Sequence, residues 1–331
     1  MVSNRALVIG IDDYPDAPLR GCVNDAIAMR ALLARHGDGS PNFVVRLMTS
    51  NDGKVDGAAL AGAVEELFTG KAETVLFYFA GHGLLDPVTN NGHLVAQDGR
   101  KGAWGMSLGD LLALANNAHP DIRSTVIILD CCHAAGVGEI AALGKGDVSV
   151  IGTGLTLLTS THRVGKAAEG ADNGIFTEIL VDGLSGGACD ILGHVTPAAL
   201  YSHVDQTLGP WGQRPVYKAN VDSFVALRKV APKIAPAFLR KLPLLFPEAA
   251  SPYPLDPTYE PNRDNVPEEL MAIAPDPDHV AIFKGLQDCN RHGLVVPVDA
   301  EHMYYAAIES KSCRLTALGA HYRKLAELGH I

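Results

Sequence analysis

Two short segments carry side chains able to do covalent chemistry. Ala80-Gly81-His82-Gly83 sets an imidazole among glycines, and Asp130-Cys131-Cys132-His133 sets two thiols beside a carboxylate and a second imidazole. A thiol close to an imidazole is the minimum device for nucleophilic catalysis, because the base favours the thiolate, which is the attacking species. Glycines around His82 leave backbone N–H groups open to a substrate, as an oxyanion hole requires. Each residue also has an ordinary reading. A His at a strand end is commonly hydrogen-bonded structure, and a buried Cys is commonly packing. The pair says more than either member, because both segments follow strongly apolar runs.

Those runs indicate what positions the two groups. Ala6–Ile11 ends in Asp12-Asp13, Thr74–Phe79 runs into the His82 segment, and Thr125–Leu129 runs into the cysteines. Phe43–Met48 and Leu155–Thr159 are two further strand candidates. Between them, residues 25–33, 58–68 and 108–116 carry helical spacing, with Ala26, Met29, Leu32 and Leu33 on one side of the first. Strands apolar on both faces and separated by helices predict an α/β sandwich, a mainly parallel sheet covered on both sides. In such a sheet, sites form beyond the carboxyl ends of the strands. His82 and the cysteines are therefore expected on one edge.

Composition narrows the class. The chain has 331 residues, 47% of them apolar, and a net charge of −10. An acidic chain is a poor match to a phosphate backbone, so nucleic-acid binding is not expected. No apolar run reaches the ~20 residues of a membrane span, and the N-terminus shows no secretory signal, so a cytoplasmic protein is expected. Cys22, Cys131, Cys132, Cys189, Cys289 and Cys313 form no C-x-x-C pair, which argues against a disulfide framework and against zinc. No metal or cofactor is expected. A calcium requirement would leave no readable spacing.

Proline divides the chain. Of 20 prolines, 11 fall between Pro232 and Pro277. Three segments follow: an α/β domain over 1–230, a proline-rich connector over 231–278, and a small helical module over 279–331. The connector carries Phe238, Leu242, Leu245, Phe246 and Tyr259, so it is expected to pack rather than float. The module has three short helical stretches and resembles a winged helix. From 281 to 331 it balances six basic against five acidic residues, which favours a protein-contact or regulatory role over DNA.

The motifs ALVIGIDDY, LRGCVNDA, FYFAGHG and ILDCCHAAG, in that order, resemble the caspase/metacaspase superfamily of cysteine peptidases. LVAQDG (94–99), LLTSTH (157–162), NGIFTEILVDGL (173–184) and QRPVY (213–217) extend the resemblance over roughly 3–228. It implies a caspase-like three-layer sandwich and a dyad of His82 and Cys132, 50 residues apart. It places the oxyanion hole at the N–H groups of Gly83 and Cys132. The metacaspase pattern Asp-Ser-Cys-His-Ser-Gly puts Cys131 at the Ser position; Ala134-Ala135 departs from it by displacing Gly136 one residue. Asp25 and Asp130 match the metacaspase acids that select Arg or Lys. Their ordinary readings are a helix N-cap for Asp25 and a strand-end turn for Asp130.

The implied function is an endopeptidase that cleaves protein substrates after Arg or Lys, in a signalling or defence pathway, under an activating partner. The alternative is an inactive caspase-fold scaffold or regulator acting through its C-terminal module. His93, His133 and His162 are rival bases. Lys145, set in ALGKGDVS, is the leading site for self-processing, with Arg163 and Lys166 next.

Overall fold

The computed structural model describes residues 4–86, 91–131, 151–160, 174–211, 215–263 and 266–331. Contacts divide the chain into two compact units, Met1–Ala231 and Pro232–Ile331. The first runs β1 (Arg5–Gly10), α1 (Cys22–Ala34), β2 (Val44–Thr49), α2 (Gly57–Leu67), β3 (Ala72–Gly81), β4 (Gly83–Leu85), β5 (Gly92–Arg100), β6 (Ala103–Ser107) and α3 (Leu108–Asn117). It continues through β7 (Ile122–Cys131), β8 (Leu155–Thr159), α4 (Ile175–Asp182), β9 (His194–Val195), α5 (Pro197–Leu208), β10 (Val216–Asn220) and β11 (Arg228–Lys229).

Six strands form the central sheet in the order β10-β8-β7-β3-β1-β2, parallel except for β10. Successive side chains alternate between its faces. Leu7, Ile9, Phe77, Phe79, Ile127 and Leu129 meet Leu60 and Val64 of α2 and Leu111 and Leu112 of α3. Ala6, Val8, Leu76, Tyr78, Val126 and Ile128 meet Met29 and Leu33 of α1, Leu180 of α4 and Leu200 of α5. Both faces are dry, so the central strands read as unbroken apolar runs. Each large side chain removed from water contributes about 1.5–3 kcal/mol. The fold is the three-layer α/β sandwich with a mainly parallel sheet that the sequence predicts.

Parallel pairing carries the carboxyl ends of β1, β2, β3, β7 and β8 to one edge. Gly10 lets α1 start beside that edge, since a Cβ there would lie 2.3 Å from the carbonyl oxygen of Cys22. β4, β5 and β6 form a separate antiparallel sheet, entered directly from the end of β3. In β5 only Leu94-Val95-Ala96 are consecutively apolar, between His93 and Gln97, so this hairpin leaves no long apolar run.

The second unit runs α6 (Pro236–Leu239), α7 (Leu242–Leu245), β12 (Tyr253–Pro254), α8 (Glu268–Met271), α9 (Pro277–Arg291), β13 (Val295–Val298), α10 (Met303–Ile308), β14 (Ser312–Leu315) and α11 (Ala317–Glu327). Its sheet has the order β12-β14-β13, antiparallel throughout. The proline-rich stretch is integral to this unit rather than a link ahead of it. Leu239, Leu242 and Phe246 are fully buried, and Arg323 of α11 donates to the carbonyls of Phe246, at 2.5 Å, and Pro247. Pro236 and Pro243 occupy the first turns of α6 and α7, where a missing N–H costs nothing.

Candidate active site

His82 is the residue after β3. Its backbone is held from both sides: its N–H donates to the phenol oxygen of Tyr14 at 3.1 Å, and its carbonyl accepts from the N–H of Val95 at 2.9 Å. The Tyr14 hydroxyl donates onward to the Val95 carbonyl at 3.0 Å, and its ring lies 4.6 Å from the imidazole. Burial pushes the Tyr14 phenol far above its usual range, so it stays neutral. Gly81 is required here, because a Cβ would come within 2.6 Å of the Tyr14 hydroxyl.

The imidazole itself also makes a hydrogen bond. Nε2 lies 2.7 Å from the carbonyl oxygen of Ala17. A carbonyl only accepts, so Nε2 carries the hydrogen, and in the neutral ring Nδ1 then presents a lone pair. A ring nitrogen with a free lone pair is what a general base needs.

β3 and β7 pair in register up to Gly81 and Cys131, the residues that directly precede His82 and Cys132 in the chain. Cys131 is 3% exposed and belongs to the core on the α2–α3 side of the sheet. Cys132, His133, Lys145, His162, Arg163 and Lys166 lie outside the described residues. His93 sits within the hairpin, opposite Leu84 and Ser107, rather than at the end of β3.

The two acids meet. Asp25, on the first turn of α1, is 2% exposed and does not cap its own helix. Asp12 does: its carboxylate accepts from the N–H groups of Cys22 at 2.9 Å and Val23 at 3.2 Å. The N-cap reading of Asp25 is thereby corrected. Its carboxylate turns to α4 and accepts from the N–H of Gly174 at 3.2 and 3.3 Å. Asp130 accepts from the hydroxyl of Thr177 at 2.7 Å, and that hydroxyl lies 2.6 Å from the phenol oxygen of Tyr78. A Cβ on Gly174 would sit 3.1 Å from Asp130 Oδ2 and 3.2 Å from Asp25 Oδ2. Both carboxylates therefore flank one glycine.

Crowding of like charges has an electrostatic result. Burial first, then the neighbouring Asp130, push the Asp25 carboxyl up to about 7; Asp12 and Glu178 add to this, and the Gly174 N–H opposes it. Burial first, then Asp12, Asp130 and Asp25, push the Cys22 thiol far up, so Cys22 stays protonated and is a poor nucleophile. A cleft of about 260 Å³ lined by Asp13, Ser50, Lys54 and Gln97 also opens near this edge, and neither Asp25 nor Asp130 lines it. Among the described residues no three His, Cys, Asp or Glu side chains are grouped to hold a metal ion.

Sequence reasoning assigned no role to Tyr14, Ala17, Tyr78, Gly174 or Thr177. Tyr14 stands in the ALVIGIDDY motif, and Gly174 and Thr177 stand in NGIFTEILVDGL, so the signal was present without its meaning. Ala17 acts through a backbone carbonyl, which no residue type announces.

A family model described as "Caspase domain" matches residues 3–225. The chain belongs to the caspase domain family. Members of the family are cysteine peptidases, which hydrolyse peptide bonds in protein substrates. A Geobacter sulfurreducens protein of known structure is 16% identical, with a TM-score of 0.49, over 70% of this chain and 98% of its own. Caspase-1 from Spodoptera frugiperda is 10% identical, with a TM-score of 0.48, over 69% and 91%. The Drosophila initiator caspase Dronc is 12% identical, with a TM-score of 0.44, over 66% and 79%. No curated protein matches the chain closely enough to count as a relative. The caspase domain match ends before the second unit begins. Among the described residues no helix is long and apolar enough to cross a membrane.

Proposed function

We propose that this caspase domain is an active endopeptidase of metacaspase type that cleaves protein chains after Arg or Lys. The observation that carries this reading is the meeting of Asp25 and Asp130 on either side of Gly174, at the edge where His82 stands. Two neighbouring carboxylates suit a guanidinium or ammonium group brought by the substrate.

In this mechanism His82 Nδ1 takes the proton of the Cys132 thiol. The thiolate attacks the carbonyl carbon of the scissile bond, and the N–H groups of Gly83 and Cys132 donate to the oxyanion. Collapse of the tetrahedral intermediate breaks the C–N bond as His82 returns the proton to the departing amine. Water, deprotonated by His82, then hydrolyses the thioester and frees the thiol. The Ala17 carbonyl accepts from Nε2–H in both the neutral and the protonated imidazole and so keeps Nδ1 for the proton transfers. No step calls for a cofactor.

The reading includes regulation: a cytoplasmic enzyme in a signalling or defence pathway, controlled by a cut after Lys145 or by an activating partner. Fluorogenic peptides with Arg, Lys or Asp at the scissile position, assayed with and without Ca²⁺ against a Cys132→Ala control, test it. Cleavage of the Arg and Lys peptides that the control lacks is expected. Preference for Asp overturns the specificity, and no thiol-dependent cleavage of any peptide favours an inactive scaffold.

A further inference from the structure

A carboxylate pair selects a cation only if something holds the two groups apart and in place. One helical turn supplies a hydrogen-bond donor to each of them. Gly174, the N-cap of α4, donates its N–H to both oxygens of Asp25, and Thr177, three residues on, donates to Asp130. Positions three apart share one face of a helix. Hydrogen counting fixes the direction of the remaining bond. The Thr177 hydroxyl has one hydrogen and spends it on a carboxylate that only accepts, so at 2.6 Å it must accept from Tyr78. Tyr78 and Thr177 are both fully buried, which leaves neither hydroxyl water as an alternative partner. The line Tyr78 to Thr177 to Asp130 thus ties β3, α4 and β7 together behind the acids. Gly174 has φ −71° and ψ 135°, a backbone that any residue can adopt. What demands glycine is the space beside it, since a methyl group would press on both carboxylates.

We infer that the first turn of α4 sets the specificity of this site: Thr177, backed by Tyr78, is a positioning residue for Asp130, and Gly174 keeps the gap between the carboxylates open to an Arg or Lys side chain. The inference rests on the proposed preference for basic residues and adds which residues outside the acids enforce it.

The test measures kcat and KM on an Arg and a Lys peptide, with the inhibition constant of benzamidine as a probe of the cation site alone. Thr177→Val, nearly isosteric and without the hydroxyl, is expected to raise KM and the benzamidine constant about tenfold and to change kcat less than threefold. Thr177→Ser is expected to restore both to within about threefold of wild type, and Tyr78→Phe to cost less than Thr177→Val. Gly174→Ala is expected to raise KM more for Arg than for Lys, because the planar guanidinium is bulkier. Thermal melts accompany each variant, and Gly174→Ala supplies the answer should Thr177→Val not fold. Wild-type KM and benzamidine binding in both Thr177→Val and Gly174→Ala overturn the inference, as does a loss in kcat with KM unchanged. A wild-type enzyme that ignores Arg and Lys peptides overturns instead the specificity reading on which it stands.

Discussion

His82 and Asp25 stand at one edge of one sheet and are held in opposite ways. His82 is oriented by neutral partners, a backbone carbonyl, a backbone N–H and a phenol, with no charged group bonded to it in the described structure. Asp25 is set among other acids, Asp130 and Asp12 foremost, and its carboxyl is pushed up to about 7. A general base needs direction: the right tautomer aimed at the right atom. A cation pocket needs negative charge that is concentrated. Orientation can be supplied with neutral hydrogen bonds, whereas charge concentration costs stability.

The largest expected effect tests the neutral side. His82→Ala should lower kcat by about 10²–10⁴-fold, the usual worth of a positioned base. Cys132→Ala should abolish turnover, while Cys131→Ala keeps most of it, because Cys131 packs in the core. Equal losses from the two cysteine variants, in proteins whose melts match wild type, would refute the assignment of the nucleophile.

Next in size are the acids. Asp130→Asn keeps the shape and the Thr177 bond but removes a charge, so KM for Arg peptides should rise about 10–100-fold, as for a lost charge-assisted hydrogen bond. The kcat of an Asp25→Asn or Asp130→Asn enzyme at saturating substrate should change far less. A fall in kcat alone would move these acids from binding to chemistry.

Proton linkage separates the two sides further. The Asp25 carboxyl titrates near 7 in the folded chain and about 3.9 when unfolded. Folding therefore takes up a proton between those values, and the stability this group contributes, full below about 4, is lost as pH rises to 7. Asp130 on β7, Asp12 after β1 and Glu178 on α4 are the charged groups that raise it. Asp25→Asn should melt higher than wild type by several degrees at pH 8 and by little at pH 4. Benzamidine should bind wild type more tightly as pH rises through 7. A melting difference independent of pH would show that Asp25 is not the group responsible.

The difference between the two sides also governs what was legible in the sequence. β1, β3 and β7 announce themselves as apolar runs because both of their faces are dry, and the residues that end them, Asp12, His82 and Asp130, follow directly. Asp25 and Asp130 could be named from motifs, but their meeting depends on α4, more than 40 residues beyond Asp130 in the chain, and no local pattern states that. The proline-rich stretch reads as a connector because proline is taken as a breaker. At the first turns of α6 and α7 it starts helices instead.

The smallest effect belongs to Tyr14, and it probes how much orientation by neutral bonds is worth. Its hydroxyl accepts from the His82 N–H and donates to Val95, so Tyr14→Phe removes two neutral hydrogen bonds and keeps the ring against the imidazole. Each such bond contributes about 0.5–1.5 kcal/mol. Part of this falls on stability and part on the placement of the imidazole, so kcat should fall about three- to tenfold with KM unchanged. The hydroxyl also fills the space beside Gly81, where an added Cβ would lie 2.6 Å from it, so its loss leaves that backbone less confined. A freer backbone there lets His82 sample orientations away from the Ala17 carbonyl, and the population that keeps Nδ1 forward shrinks. Ring nitrogen chemical shifts of His82 should then show a mixture of tautomers where the wild type shows one. A variant with unaltered shifts and unaltered kcat would mean that the Ala17 carbonyl orients the base by itself.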